Sequence, residues 1–127
     1  VNKTLQQMHL HNNDIAADGA GKLAAALKVN KTLQQMNLHG NNIGDEGAGK
    51  LANALQVNRT LQQIDLESCA PSEQDAAADH NKIGDEGAGK LAAALKVNET
   101  LQQMNLEVND IGDDGAGKLV EALEKNQ

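Results

Sequence analysis

Residues 44–51 of this chain, GDEGAGKL, nearly spell a phosphate-binding loop. Gly44, Gly49 and Lys50 stand at the spacing with which backbone amides and a lysine cradle a nucleotide. Such a loop also needs a Ser or Thr hydroxyl after the lysine to hold Mg²⁺, and here that place is Leu51. The octet returns at Gly84, and at Gly112 with Asp114 for the glutamate, so a structural period explains it better than a nucleotide does. His9, His11 and His39 are the residues nearest to a metal site. If His11 and His39 sit on neighbouring strands, about 4.8 Å apart, two imidazoles can share Zn²⁺ or Ni²⁺, but a fourth ligand is not evident. A solvated recognition surface is the preferred reading, with no metal and no cofactor. Cys69 lacks the base and oxyanion site that a nucleophile requires, His80 being its one neighbour of suitable type in sequence. No catalytic residues are assigned and no enzyme is expected. Asn2, Asn30, Asn58 and Asn98 each open an Asn-x-Thr sequon. All four recur at the same helix-to-strand turn, where Asn as a helix C-cap and Thr as a turn residue is the simpler reading.

That period organises the chain. Copies begin at Asn2, Asn30, Asn58 and Asn98, in steps of 28, 28 and 40 residues, so the third carries 12 extra. The repeats are 2–29, 30–57, 58–97 and 98–127, within a single domain 1–127. Each opens on LxxLxLxxN; in the second these residues are Leu33, Met36, Leu38 and Asn41. The two-residue spacing of Met36 and Leu38 predicts a short strand with both side chains inward and Gln35, Asn37 and His39 outward. The second half predicts a helix: Ala48, Leu51, Ala52 and Leu55 form one apolar stripe, and Asp45 is placed to cap the helix start. Asn58 is expected in a left-handed conformation just beyond the helix. The Asn that ends LxxLxLxxN is expected to satisfy backbone groups in a buried bend, and Cys69 falls in its place in the third copy.

Strand, turn, helix and return in so few residues predict an α/β right-handed solenoid, a horseshoe with a parallel concave sheet and convex helices. Its core is built without Phe, Trp or Tyr, which suits thin stacked layers. The pattern N-x-TLQQ-x-x-L-x-x-N-x-IGDEGA-x-x-LA-x-AL resembles leucine-rich repeats of the ribonuclease-inhibitor-like class, and is similar to those of NLR-type immune receptors. The resemblance covers residues 2–126 and implies four leucine-rich repeats that recognise a protein through the concave face. It also implies that Cys69 is a buried structural thiol, since repeats of this class often carry Cys there. The last copy is more polar, with Glu121 at the Ala25/Asn53/Ala93 position and Lys125 at the Val29/Val57/Val97 position, like a partial cap.

A net charge of −7 disfavours nucleic acid and anionic membranes, and no apolar run is long enough to span a bilayer. A lone cysteine and no visible signal favour a cytoplasmic setting, with secretion the alternative. The expected partner is a protein. Candidate contacts are the columns Gln7/Gln35/Gln63/Gln103, His9/Asn37/Asp65/Asn105 and His11/His39/Glu67/Glu107. A rim insertion at 70–81 adds Glu73, Asp75, Asp79 and His80, with helix-favouring residues after Pro71. Uncapped ends invite end-to-end self-association. The rival readings are an engineered or consensus array without a natural ligand, and a regulatory fragment of a receptor, GTPase-activating or effector protein. Lys50, Lys90 and Lys118 belong to helix surfaces, so titration with Mg-ATP should give no saturable heat; a micromolar site abolished by Lys50→Ala would refute this.

Overall fold

A computed structural model describes residues 2–68 and 81–125. Four three-residue strands, β1 (Gln7–His9), β2 (Gln35–Asn37), β3 (Gln63–Asp65) and β4 (Gln103–Asn105), alternate with four helices. The helices are α1 (Ala17–Val29), α2 (Gly44–Leu55), α3 (Asp85–Leu95) and α4 (Asp113–Lys125). The strands form one parallel sheet in the order β1-β2-β3-β4, each helix packs on the next, and the architecture is the α/β solenoid of four repeats that the spacing predicts.

The strand phase follows the two-residue alternation. Met36 and Leu38 are buried while Gln35, Asn37 and His39 are half-exposed, and the helix stripe Ala48, Leu51, Ala52 and Leu55 is buried throughout. Each layer is closed by Leu, Ile, Met and Ala: Leu61, Ile64, Leu66, Ile83 and Leu91 are all at most 2% exposed. The outer layers are thinner, and Met8, Leu10, Leu101 and Leu106 are only partly buried.

Three residues of strand make few backbone bonds, so side chains complete the ladder at both ends. At the exit, Asn41 Nδ2 donates to Leu10 O (2.9 Å), Leu38 O (3.1 Å) and His39 O (3.4 Å), while its Oδ1 accepts from Ile15 N. Asn109 does the same toward Leu66 O, Leu106 O and Ile83 N. In the third repeat this place belongs to Asn81, not to Cys69 as expected. Asn81 is fully buried, donates to Leu38 O, Leu66 O and Glu67 O at 3.1 Å each, and accepts from Ile43 N. The physical reason is that a thiol has no amide to bridge three carbonyls. The twelve additional residues therefore lie between Ser68 and Asn81, one position earlier than the spacing suggested, and Cys69 falls outside the described residues.

At the start of the strand, Asn58 Oδ1 accepts from Thr60 N and Leu61 N, while Nδ2 donates back to Leu27 O and Asn30 O. Asn30 and Asn98 repeat this arrangement. The left-handed conformation expected after the helix is not adopted: Asn30 has φ −77° and ψ 135°, and Asn58 and Asn98 are not among the residues with positive φ. The asparagine closes the helix through its own N–H, which donates to Ala26, Ala54 or Ala94 O, and opens the strand with an Asx turn, whose extended geometry brings its side-chain oxygen to two amides.

The helix caps also run between repeats. Asp45 does not cap α2; its Oδ1 accepts from Gly84 N (2.7 Å) and Gly87 N (2.9 Å) at the start of α3. Asp85 does the same for Gly112 and Gly115 at α4. The first repeat has Ala17 in that place, so Gly44 has no such carboxylate; its amide goes to Asn81 O, with φ +68° that glycine tolerates. The near phosphate-binding octet is thereby explained. Its Asp caps the next helix. Gly49 is the floor over which Lys90 lies, since a Cβ there would stand 2.7 Å from Lys90 Cδ.

Two substitutions separate these lateral bonds from local helix effects. Asp45→Ala should cost about 0.5–2 kcal/mol in urea denaturation followed by far-UV circular dichroism, as for other lost caps. Glu46→Ala, exposed in the same first turn, should stay within about 0.5 kcal/mol; equal losses would assign the effect to the helix dipole. Asn81→Ala leaves the Ile43 amide unpaired and removes one of two donors from each of the Leu38, Leu66 and Glu67 carbonyls, and should cost roughly 1–3 kcal/mol. Asn13→Ala, which loses bonds only within its own exposed turn, should cost under about 1 kcal/mol.

Candidate functional site

The sheet face opposite the helices is set by register. Gln7, Gln35, Gln63 and Gln103 are paired across the four strands, as are His9, Asn37, Asp65 and Asn105. The pairing continues past the strands through Asn12 N to His39 O, Gly40 N to Glu67 O and Ser68 N to Glu107 O. His11, His39, Glu67 and Glu107 thus form the third column. All three columns lie on one face, as their period of two requires.

Their environments differ along the array. Gln7, His9, His11, Gln103 and Glu107 are exposed, while Gln35, Asn37, His39, Gln63, Asp65, Glu67 and Asn105 are half-buried. A shallow hollow of about 240 Å³ lies over the middle strands, lined by His9, Asn37, Asp65 and Asn105 among others. Part of the second column has a structural task. Asn37, Asp65 and Asn105 each turn Oδ1 back to the amide two residues on, which ends the strand after its third residue. Glu73, Asp75, Asp79 and His80 lie outside the described residues, as does the helix suggested after Pro71.

The sequence raises a shared ion between His11 and His39 only to set it aside, and the ligand-distance neighbour that the fold gives His39 is a carboxylate of the third repeat. His39 Nδ1 lies 3.2 Å from Glu67 Oε2, which also accepts from Asn105 Nδ2 at 3.2 Å. Among the described residues, the group whose ligand atoms gather within 4.8 Å is His39, Asp65 and Glu67. His9 and His11 instead approach each other, their rings 6.4 Å apart.

A second feature was legible only as the variable letter of the sequons. Lys3, Lys31 and Arg59 line up at the start of the strands along a broad groove of about 870 Å³, a basic column that Glu99 ends. The sequon asparagines are themselves structural: Asn58 and Asn98 are 3% and 2% exposed, and the Nδ2 that a glycan would occupy donates to carbonyls of the preceding repeat.

The end layers remain apolar. Glu121 stands at a position exposed in every repeat and lies 3.9 Å from Lys96 Nζ, whereas Val120, 54% exposed, stands at the place of the buried Ala92, and Leu123, 63% exposed, at that of the partly buried Leu95. Leu5 is 42% exposed at the other end. No helix among the described residues is long and apolar enough to cross a membrane.

This geometry has known counterparts. The backbone is similar to that of actin-binding site 2 of leiomodin-1, with a TM-score of 0.76 at 20% identity over 95% of this chain. This chain spans 65% of that one. It is also similar to the C-terminal domain of tropomodulin from Caenorhabditis elegans, with a TM-score of 0.51, 16% identity and 98% of this chain against 86% of that one. These likenesses concern the fold. No curated protein sequence matches the chain. The leucine rich repeat family model matches residues 1–24, 29–52, 79–92 and 97–120, one block in each repeat and most of the chain in total. The chain belongs to the leucine-rich-repeat family.

Proposed function

We propose that the chain is a non-catalytic protein-recognition module, one solenoid domain whose concave sheet face and the segment between Ser68 and Asn81 contact a partner protein. One observation carries the reading: three polar columns are held in register on strands whose backbone is already satisfied within the array. Such a face loses little conformational freedom on binding. It has no aromatic anchors, so affinity is modest. The family commonly serves protein contacts, and the leiomodin-1 domain of similar fold is named for actin binding, which makes purified actin a ready first probe. Within the family, the IGDEGA motif favours the ribonuclease-inhibitor-like class and NLR-type receptors as nearest in kind.

Self-association is a second reading, favoured by the bare end layers. An apolar groove of about 310 Å³ lined by Leu5, Met8, Leu23 and Leu33 stands at one end, and one of about 250 Å³ lined by Leu101, Leu119 and Leu123 at the other. A head-to-tail contact between copies would continue the stack. Sedimentation of the chain across a concentration series, beside Val120→Glu with Leu123→Glu, distinguishes this from a monomer.

For the recognition reading, deleting residues 69–80 joins Ser68 to Asn81 and restores the sequence spacing of Gly40 and Asn41. That variant should keep or raise the melting temperature, because the asparagine ladder is intact and the connection is shorter. Binding to a partner should fall with this deletion and with Gln35→Arg plus Gln63→Arg, and should survive Asn53→Arg on the helix face. A partner lost through Asn53→Arg and kept by the other variants would place recognition on the helices and refute the proposal.

A further inference from the structure

The near-identity of the repeats makes each departure informative. Along the second column the residues are His9, Asn37, Asp65 and Asn105; along the third, His11, His39, Glu67 and Glu107. Among the described residues, an imidazole and two carboxylates become neighbours where the second repeat meets the third. Asp65 and Glu67 share a face because they are two residues apart on one chain, and His39 is across from Glu67 in the adjoining repeat.

We propose that His39, Asp65 and Glu67 form a binding site for a divalent transition-metal ion of the Zn²⁺ or Ni²⁺ kind, a property separate from partner recognition. Ligand atoms about 2.1 Å from a tetrahedral ion stand about 3.4 Å from one another. His39 Nδ1 and Glu67 Oε2 are already 3.2 Å apart, and an Asp65 oxygen completes a group within 4.8 Å, a gap that small side-chain rotations close.

The surroundings fit a cation. All three side chains are half-buried, and among the described residues no lysine or arginine pairs with either carboxylate. Supporting bonds hold the ligands: Asn105 Nδ2 donates to Glu67 Oε2, and the Glu67 amide donates to Asp65 Oδ1. Such outer partners orient metal ligands in known sites. One imidazole with two carboxylates selects Zn²⁺ or Ni²⁺ over Mg²⁺, which prefers oxygen and water. Three protein ligands leave the remaining position to water.

Calorimetric titration with ZnCl₂ tests the site on the 127-residue chain carrying Cys69→Ser and His80→Gln, which removes the soft ligands of the segment between Ser68 and Asn81. One ion per chain is expected, with a dissociation constant in the micromolar range and a rise in melting temperature at saturation. His39→Gln and D65N should each weaken binding at least about tenfold. D65N keeps the strand-ending bond that Asn37 and Asn105 make, and far-UV circular dichroism confirms that each variant is folded. His9→Gln with His11→Gln should leave binding unchanged. Absent saturable binding, binding that survives His39→Gln, or equal affinity for MgCl₂ would each overturn the assignment.

Discussion

A strand of three residues flanked by tight bends buries carbonyl and amide groups that neither the sheet ladder nor water can pair. Everything else in this solenoid depends on how those groups are satisfied. An unpaired buried backbone group costs about 1–3 kcal/mol, and each repeat would carry several. The chain meets the demand with two asparagines per repeat. Asn41, Asn81 and Asn109 bridge the bends where strands end, and Asn30, Asn58 and Asn98 those where strands begin. Every one of these side chains reaches into the preceding repeat, so satisfying the backbone and stacking the repeats are one event. The aspartate caps obey the same logic, since the helix that gains from Asp45 or Asp85 is the following one.

This arrangement frees the sheet face for other work. With the backbone paired inside the array and Leu, Ile and Met closing the layers beneath, the outward side chains contribute little to the core, and two of the three outward columns vary in chemical type while the buried positions stay apolar. The second and third columns change from His to Asn, Asp or Glu while Leu38, Leu66 and their partners stay hydrophobic. Chemistry therefore arises from neighbours across strands. The meeting of His39 with Glu67 belongs to no single repeat, and neither does the basic line of Lys3, Lys31 and Arg59.

Much of this was legible in the sequence, because a period of 28 fixes register and the Met36–Leu38 spacing fixes phase; together they place every column residue. What escaped has identifiable causes. Asp45 reads as a cap for its own helix because a lateral cap leaves the same local signature, and only the packing of α2 on α3 shows which amides it meets. Cys69 was assigned the buried asparagine place by counting forward from Leu66, yet counting back from Ile83 selects Asn81, and the choice turns on which side chain can bridge three carbonyls. Asn30 sits at the junction of helix and strand, where a cap and an Asx turn share residue preferences. The gathering of Asp65 with His39 needed register and phase at once, along a diagonal that column-by-column reading passes over.

Native-state hydrogen exchange at the bends tests the central claim directly. The Ile43 and Leu61 amides lie outside helix and strand, but they donate to Asn81 Oδ1 and Asn58 Oδ1. If the asparagines tie the repeats into one cooperative unit, both amides should exchange as slowly as the Leu51 amide within α2, through global unfolding alone. Exchange at the rate of exposed turn amides such as Thr4 would contradict the account, because the bends would then open without unfolding the stack.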